Sequence, residues 1–257
     1  MKITVFTGNQ PRHTALVNAL ADVADELCLV MESGTRFPGV RVGHYAISDI
    51  MEQYFTRVRR AESTIFGVPW LATNVSTFAL GAGELNFVEL DRLSPCLDAD
   101  LFVVFGSSYI KGPLASFLVE RRALNLHMGT SPFYRGTACN FWALYDGNPD
   151  LVGATIHFLS QGLDNGPIIC HATPSIDTDD PFIFTMQAVE EGVRKVVGIA
   201  TGALGLAAID PIEIGEGIRY SRNAEFTDDI AHEFLSRVES GEFLKLSQTN
   251  FHGRLIL

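Results

Sequence analysis

Short continuous apolar runs alternate along this chain with longer stretches whose apolar residues recur at helical spacing. Residues 2–7 form the first run and read as a buried strand. A turn follows at Gly8, Asn9, Gln10 and Pro11, and from Thr14 to Ala24 the apolar positions follow the three-and-four spacing of an amphipathic helix. Residues 26–31 read as a second strand, so the N-terminal part predicts a βαβ unit with parallel pairing. Ser33 to Gly43, rich in Gly, Pro and Arg, reads as a loop, and residues 44–66 as a helix carrying Arg57, Arg59 and Arg60. Between 67 and 95 the apolar pieces are short and broken by Gly and Asn, and they define no element. Further on, strands are predicted at 100–106, 123–127, 151–159 and 167–172, and helices at 113–120, 138–146, 182–208 and near 227–240. Residues 131–136 read as a loop.

This alternation predicts an α/β fold, an open and mostly parallel twisted sheet with helices on both faces. Residues 1–205 are expected to form the core and 206–257 a small C-terminal extension packed on it. Ligands of such sheets bind beyond the carboxyl ends of the strands. That rule directs attention to Gly8–His13, Gly106–Lys111, Asn125–Gly136 and Gln161–Gly166.

Composition narrows the function. With 47% apolar and 19% charged residues the chain is globular, and no apolar run approaches the ~20 residues of a membrane span. The first residues read as a strand and not as a signal peptide, so a cytoplasmic protein is expected. A net charge of −11 argues against nucleic acid as a partner. The four cysteines, Cys28, Cys96, Cys139 and Cys170, are widely spaced and are expected to be free thiols in a reducing compartment. The histidines show no metal-ligand spacing, so no metal is expected.

Asn125 and His127 lie two apart at a strand end, which places both side chains on one face. An amide and an imidazole side by side can donate hydrogen bonds to the oxyanion of a tetrahedral acyl-transfer intermediate. Asp164 sits in a Gly-flanked turn, Gly162 to Gly166. Read singly, each has a plain structural reading as a strand-end or turn residue.

Together, Asn125-x-His127 with Pro132 and Gly136, then Gly153-x-Thr155-x-His157, then Gly162-x-Asp164-x-Gly166, resemble the folate-dependent formyltransferases. That family includes glycinamide ribonucleotide, methionyl-tRNA and nucleotide-sugar N-formyltransferases. The resemblance implies a Rossmann-like formyltransferase core, Asn125, His127 and Asp164 as the catalytic set, and 10-formyltetrahydrofolate as the co-substrate. It also implies that the pterin lies against Gly106, Ser107, Ser108, Tyr109 and Ile110 on one side and Leu159, Gln161 and Gly162 on the other. One position departs from the pattern: Gly129 stands where the family usually has Ser.

Arg135 and Trp142 resemble the methionyl-tRNA and sugar branches, but residues 209–257 are not notably basic, which disfavours tRNA. The expected acceptor is therefore a small-molecule primary amine on a nucleotide-linked sugar. Arg12 and His13 in the first loop are candidates for its phosphates, and Tyr134, Arg135 and Trp142 for the rest of it. A methionyl-tRNA formyltransferase-like enzyme, a formyltetrahydrofolate hydrolase and a non-catalytic folate- or nucleotide-binding module are the alternatives, and a homo-oligomer is compatible with the sequence.

Overall fold

The computed structural model describes residues 1–34, 48–68, 70–162, 164–175, 177–246 and 255–256. The elements, in chain order, are β1 (Lys2–Thr7), α1 (Pro11–Ala21), β2 (Glu26–Ser33), α2 (Asp49–Phe66), β3 (Val75–Gly81), α3 (Ser94–Leu97), β4 (Leu101–Phe105), α4 (Gly112–Glu120), β5 (Leu124–His127), β6 (Tyr134–Gly136), α5 (Cys139–Tyr145), β7 (Ala154–Phe158), β8 (Ile168–Ala172), α6 (Pro181–Ala200), α7 (Pro211–Ile214), β9 (Arg219–Ser221) and α8 (Asp228–Glu239).

Seven strands form one sheet in the order β3-β2-β1-β4-β5-β7-β8. The pairs from β3 to β5 are parallel, and β7 and β8 join antiparallel. The predicted open and mostly parallel sheet is therefore present. Buried strand residues fill one layer with α1 and α6, through Val5, Leu16, Leu29, Val103 and Val196, and another with α3 and α4, through Phe6, Cys96, Phe102 and Leu118. Chain order reverses between β1 and β4, which makes the ends of these two strands the topological switch point where such sheets hold ligands.

Several boundaries differ from the sequence expectations for local reasons. α1 starts at Pro11, whose fixed φ suits the first helical position, so the apolar spacing alone placed it three residues late. α6 ends at Ala200 and not at 208, because Gly202 takes a left-handed conformation (φ 76°) that stops the helix. β3 lies in the stretch where periodicity defined nothing; as an edge strand it is only partly buried, so its alternation is weak. Residues 134–136, expected as loop, pair in parallel with β9 in a second small sheet. Residues 149–151 form a 3-10 turn, and the strand begins only at Ala154. Most of the loop expected at 33–43, and the first residues of the helix expected at 44–66, lie outside the described residues.

Two of the four cysteines correct the free-thiol expectation. Cys28 on β2 and Cys96 on α3 are joined in a disulfide, 68 residues apart in sequence. The fold stacks α3 against β2, a proximity that spacing along the chain does not reveal. Cys139 and Cys170 are free and buried.

The C-terminal part does not stand apart from the core. Phe226, Phe234, Leu235 and Phe243 pack in one cluster with Tyr54, Phe55, Phe141 and Phe182. Ile256 pairs with His171 of β8 through both of its backbone polar groups.

Candidate functional site

β5 is short and buried. Leu124 and Leu126 belong to the core layer, while Asn125 and His127 point to the opposite face. The antiparallel partner β7 sets Asn125 directly across from His157 and His127 across from Thr155. This register positions the first polar pair: Asn125 Nδ2 lies 2.9 Å from His157 Nε2.

The proton arrangement follows from the neighbours. His157 Nδ1 lies 2.8 Å from the carbonyl oxygen of Phe158, which can only accept, so Nδ1 carries the hydrogen. Nε2 is then free to accept from the Asn125 amide. Burial lowers the His157 pKa to about 4, against a smaller raising effect from the Phe158 carbonyl, so the ring is neutral at ordinary pH. His157 thereby aims the Asn125 amide with its nitrogen toward Asp164, whose Oδ1 is 3.5 Å away.

Asp164 adopts a left-handed backbone conformation (φ 48°) in the turn that begins after β7. Its Oδ1 lies 3.3 Å from His127 Nδ1, and its Oδ2 accepts from the Gly136 N–H at 3.3 Å. The structure thus brings Asn125, His127 and Asp164 together, with His127 and Asp164 each largely shielded from solvent. The segment after β5 is held by Thr155, whose hydroxyl donates to the Gly129 carbonyl at 2.5 Å and accepts from Ser131 N–H at 2.9 Å.

Gly129 has a steric explanation. A Cβ there would lie 2.7 Å from His127 Nε2 and deep inside the contact radius of Cys139 Cβ, the first residue of α5. Cys139 occupies the room that a side chain at 129 would need. Its thiol is buried, and burial first, then the charge of Asp164, push its pKa well above the usual thiol value. It stays protonated and is a packing group rather than a nucleophile.

These residues line a cleft of about 620 Å³ that also reaches the switch point, where it is lined by Gly8, Arg12, His13 and Gly106. Such a volume suits a small-molecule site. The segment Gly106–Ile110 forms one wall and is fixed from behind. The buried carboxylate of Glu32 at the end of β2 accepts from Ser108 N–H at 2.6 Å and from Gly83 N–H at 2.8 Å, and Asn86 bridges Tyr109 and Lys111. Leu159 and Gly162 line the opposite wall. Gln161 itself is not among the lining residues, but its carbonyl accepts from the Tyr109 hydroxyl at 2.7 Å, tying the two walls together.

The first loop lines the cleft, but its Arg12 and His13 side chains are already engaged. Arg12 is paired with buried Glu62 at 2.7 Å, and its backbone N–H donates to the same carboxylate, so its charge is already compensated. His13 is packed edge-on against Phe105 and fills the space that a Cβ at Gly106 would need, with Gly106 itself at φ 62°. Burial holds its pKa well below the usual value, so it is a neutral packing residue. Tyr134 and Trp142 are core residues. Tyr134 bonds Asp146 and Asn148, and Trp142 lies under the Arg219 guanidinium at 4.2 Å. Arg135 lies over the Tyr220 ring. None of these last three lines the cleft. Arg57 and Arg59 pair with Glu239 and Glu52 on the surface. His157 entered the sequence reading only as part of a motif and Glu32 not at all, yet both line the cleft. His157 could have been found from its even spacing with Thr155 in a strand that faces Asn125.

Among the described residues no cluster of three or more His, Cys, Asp or Glu side chains is arranged to hold a metal ion, and no helix is long and apolar enough to cross a membrane. Fold and cleft together define a Rossmann-like α/β protein with a small-molecule crevice at its switch point. Residues 75–197 match the formyl transferase family. The methionyl-tRNA formyltransferase of Thermodesulfovibrio yellowstonii is 40% identical over 96 residues, covering 37% of this chain and 30% of that protein. The chain spans half or less of the length of the first curated relatives it matches. Among solved structures, phosphoribosylglycinamide formyltransferase from Anaplasma phagocytophilum superposes with TM-score 0.52 at 18% identity, over 80% of this chain and 90% of that one. A sugar N-formyltransferase from Shewanella sp. superposes with TM-score 0.51 at 15% identity, over 88% and 78%. At these identities the likeness is one of fold.

Proposed function

We propose that the protein transfers a formyl group from 10-formyltetrahydrofolate to a primary amine. The observation that carries this reading is the convergence of Asn125, His127 and Asp164 within one cleft of a formyl transferase domain. The amine nitrogen attacks the formyl carbon, the new C–N bond forms, and the carbonyl oxygen becomes an oxyanion. The Asn125 amide, held by neutral His157, donates to that oxyanion, and His127 shares the charge. The carboxylate of Asp164 orients His127 and takes the proton lost by the amine, directly or through a water. The bond from the formyl carbon to folate N10 then breaks, and N10 receives the proton. The pterin is assigned to the walls Gly106–Ile110 and Leu159–Gly162, where Glu32 and Asn86 fix the peptide groups in advance of binding.

The acceptor we favour is the amine of a nucleotide-linked amino sugar. The motif pattern around Arg135 and the likeness to a sugar N-formyltransferase fold support this choice. Because Arg12 is already paired with Glu62 and Tyr134 and Trp142 lie in the core, on this reading the phosphates lie outside the described cleft. Incubation with 10-formyltetrahydrofolate and a panel of amines, followed by mass measurement of the products, tests the reading. Product from methionyl-tRNA but from no amino sugar would overturn the sugar assignment. Release of formate without any formylated amine would point instead to hydrolysis.

A further inference from the structure

The cleft continues past Asn125, His127 and Asp164. Beyond the start of α5 it opens into a second arm between α2, α5, α6 and the C-terminal segment, floored by Tyr54, Phe55, Phe141, Phe182, Phe226 and Phe234. These rings interlock, with Tyr54 to Phe226 at 4.9 Å and Phe141 to Phe234 at 4.8 Å between centroids. Phe226 and Phe234 come from the C-terminal segment, which also places exposed Asn223 on the lining.

The two arms differ chemically. The charged side chains among the described lining residues are Arg12, Glu32 and Asp164. Arg12 and Glu32 belong to the switch-point arm and Asp164 to the centre. Among the described residues the second arm has none, and the single Arg or Lys on the described lining, Arg12, is already paired with Glu62. Formyl transfer requires two ligands to meet at the centre. With the pterin in the first arm, as in the proposed function on which this inference rests, the amine enters through the second.

We propose that residues 223–234 form the acceptor-side wall of the cleft, and that this wall selects a primary amine whose amine-bearing end is uncharged and largely apolar. Aromatic faces favour burial of apolar surface there. A phosphate close to the amine would be stripped of water, and among the described lining residues of this arm no cation stands to receive it. A phosphate separated from the amine by a whole ring stays outside the arm and is tolerated. The C-terminal segment is then part of the site and not an appendage.

A matched pair of probes tests this. Glucosamine and glucosamine 1-phosphate, whose phosphate sits on the carbon next to the amine-bearing one, are assayed as acceptors with 10-formyltetrahydrofolate, for the wild-type protein and for Phe226→Leu, Phe234→Leu and Asn223→Lys. The expected wild-type kcat/KM for glucosamine exceeds that for its 1-phosphate by at least roughly tenfold. Each Phe→Leu change raises the acceptor KM by roughly fivefold and leaves the Kd for tetrahydrofolate unchanged. Asn223→Lys, at an exposed position where folding is not at stake, narrows the preference for the uncharged sugar several-fold. Equal use of the two sugars by the wild type, or Phe→Leu effects that fall on tetrahydrofolate binding, would overturn the inference while leaving formyl transfer intact. Binding of tetrahydrofolate with formylation of neither sugar, nor of any amine in the wider panel, overturns the formyl-transfer reading and this inference with it.

Discussion

Replacing Gly129 with alanine probes the packing of the proposed catalytic centre directly. Gly129 is outside the left-handed region, so the substitution carries no backbone penalty and should gain about 0.4–1 kcal/mol from reduced freedom of the unfolded chain. Against this stands the new Cβ. Non-bonded carbon contacts are optimal near ~3.5–4.0 Å, yet this atom would meet His127 Nε2 at 2.7 Å and crowd Cys139 Cβ still more closely. Neither neighbour is the loose end of a flexible side chain. Cys139 Cβ is anchored to the first turn of α5, and the His127 ring is held by Asp164. One of them must move by roughly 1 Å, and overpacking of this kind costs about 1–3 kcal/mol. The net expectation is a destabilisation of about 1–2 kcal/mol in urea unfolding. A ring displaced by about 1 Å from the oxyanion should lower kcat by roughly a hundredfold. Adding Cys139→Gly removes the clashing Cβ, so the double variant should regain much of the activity, and the two changes should couple strongly in a double-mutant cycle. A Gly129→Ala protein with wild-type kcat and stability would refute this packing argument.

Three further outcomes are expected. His157→Phe keeps the volume of the ring but removes the acceptor for the Asn125 amide; kcat should fall roughly ten- to a hundredfold with little change in folate Kd, as measured by steady-state kinetics and titration. Glu62→Gln leaves the Arg12 charge buried without its counter-ion; unfolding experiments should show a loss of about 3 kcal/mol, largely recovered in Arg12→Met/Glu62→Leu. Stability should also fall in acid. His157 and His171 have folded pKa values of about 4 against 6.5, so the unfolded chain binds protons that the folded one does not as pH drops from about 6.5 to about 4. The loss is up to about 3 kcal/mol for each histidine and flattens below pH 4; a midpoint that stays constant over this window would contradict the buried neutral state of both rings.

Much of the fold could be read from the chain because its central strands are continuous apolar runs, as at 101–105, and its helices have one apolar face. What escaped was set by distant contacts. β3 is a partly buried edge strand, and β6 exists only because Ser221 and its neighbours pair with residues 134–136. The disulfide joins residues that only the stacking of α3 on β2 brings together. At the site, spacing and family resemblance pointed to Asn125, His127 and Asp164, and the fold brings these three side chains to one cleft. Arg12 lines the cleft as the loop suggested, but its pairing with Glu62, 50 residues away on α2, could not be read from the chain. Tyr134 and Trp142 lie in the core and off the cleft lining, a placement that a residue's neighbours in sequence do not reveal. Gly129 could be noticed in the sequence, but its cause lies in Cys139, across the turn.

The central claim is that Asn125, His127 and Asp164 act together on a formyl group. The direct measurement is the rate of formyl transfer from 10-formyltetrahydrofolate to the best amine of the panel, compared among the wild type, Asn125→Ala, His127→Ala and Asp164→Asn, each checked for intact folding and folate binding. The account predicts that every single change lowers kcat by at least roughly a hundredfold while tetrahydrofolate still binds. Transfer that survives all three substitutions at near wild-type rate would contradict it.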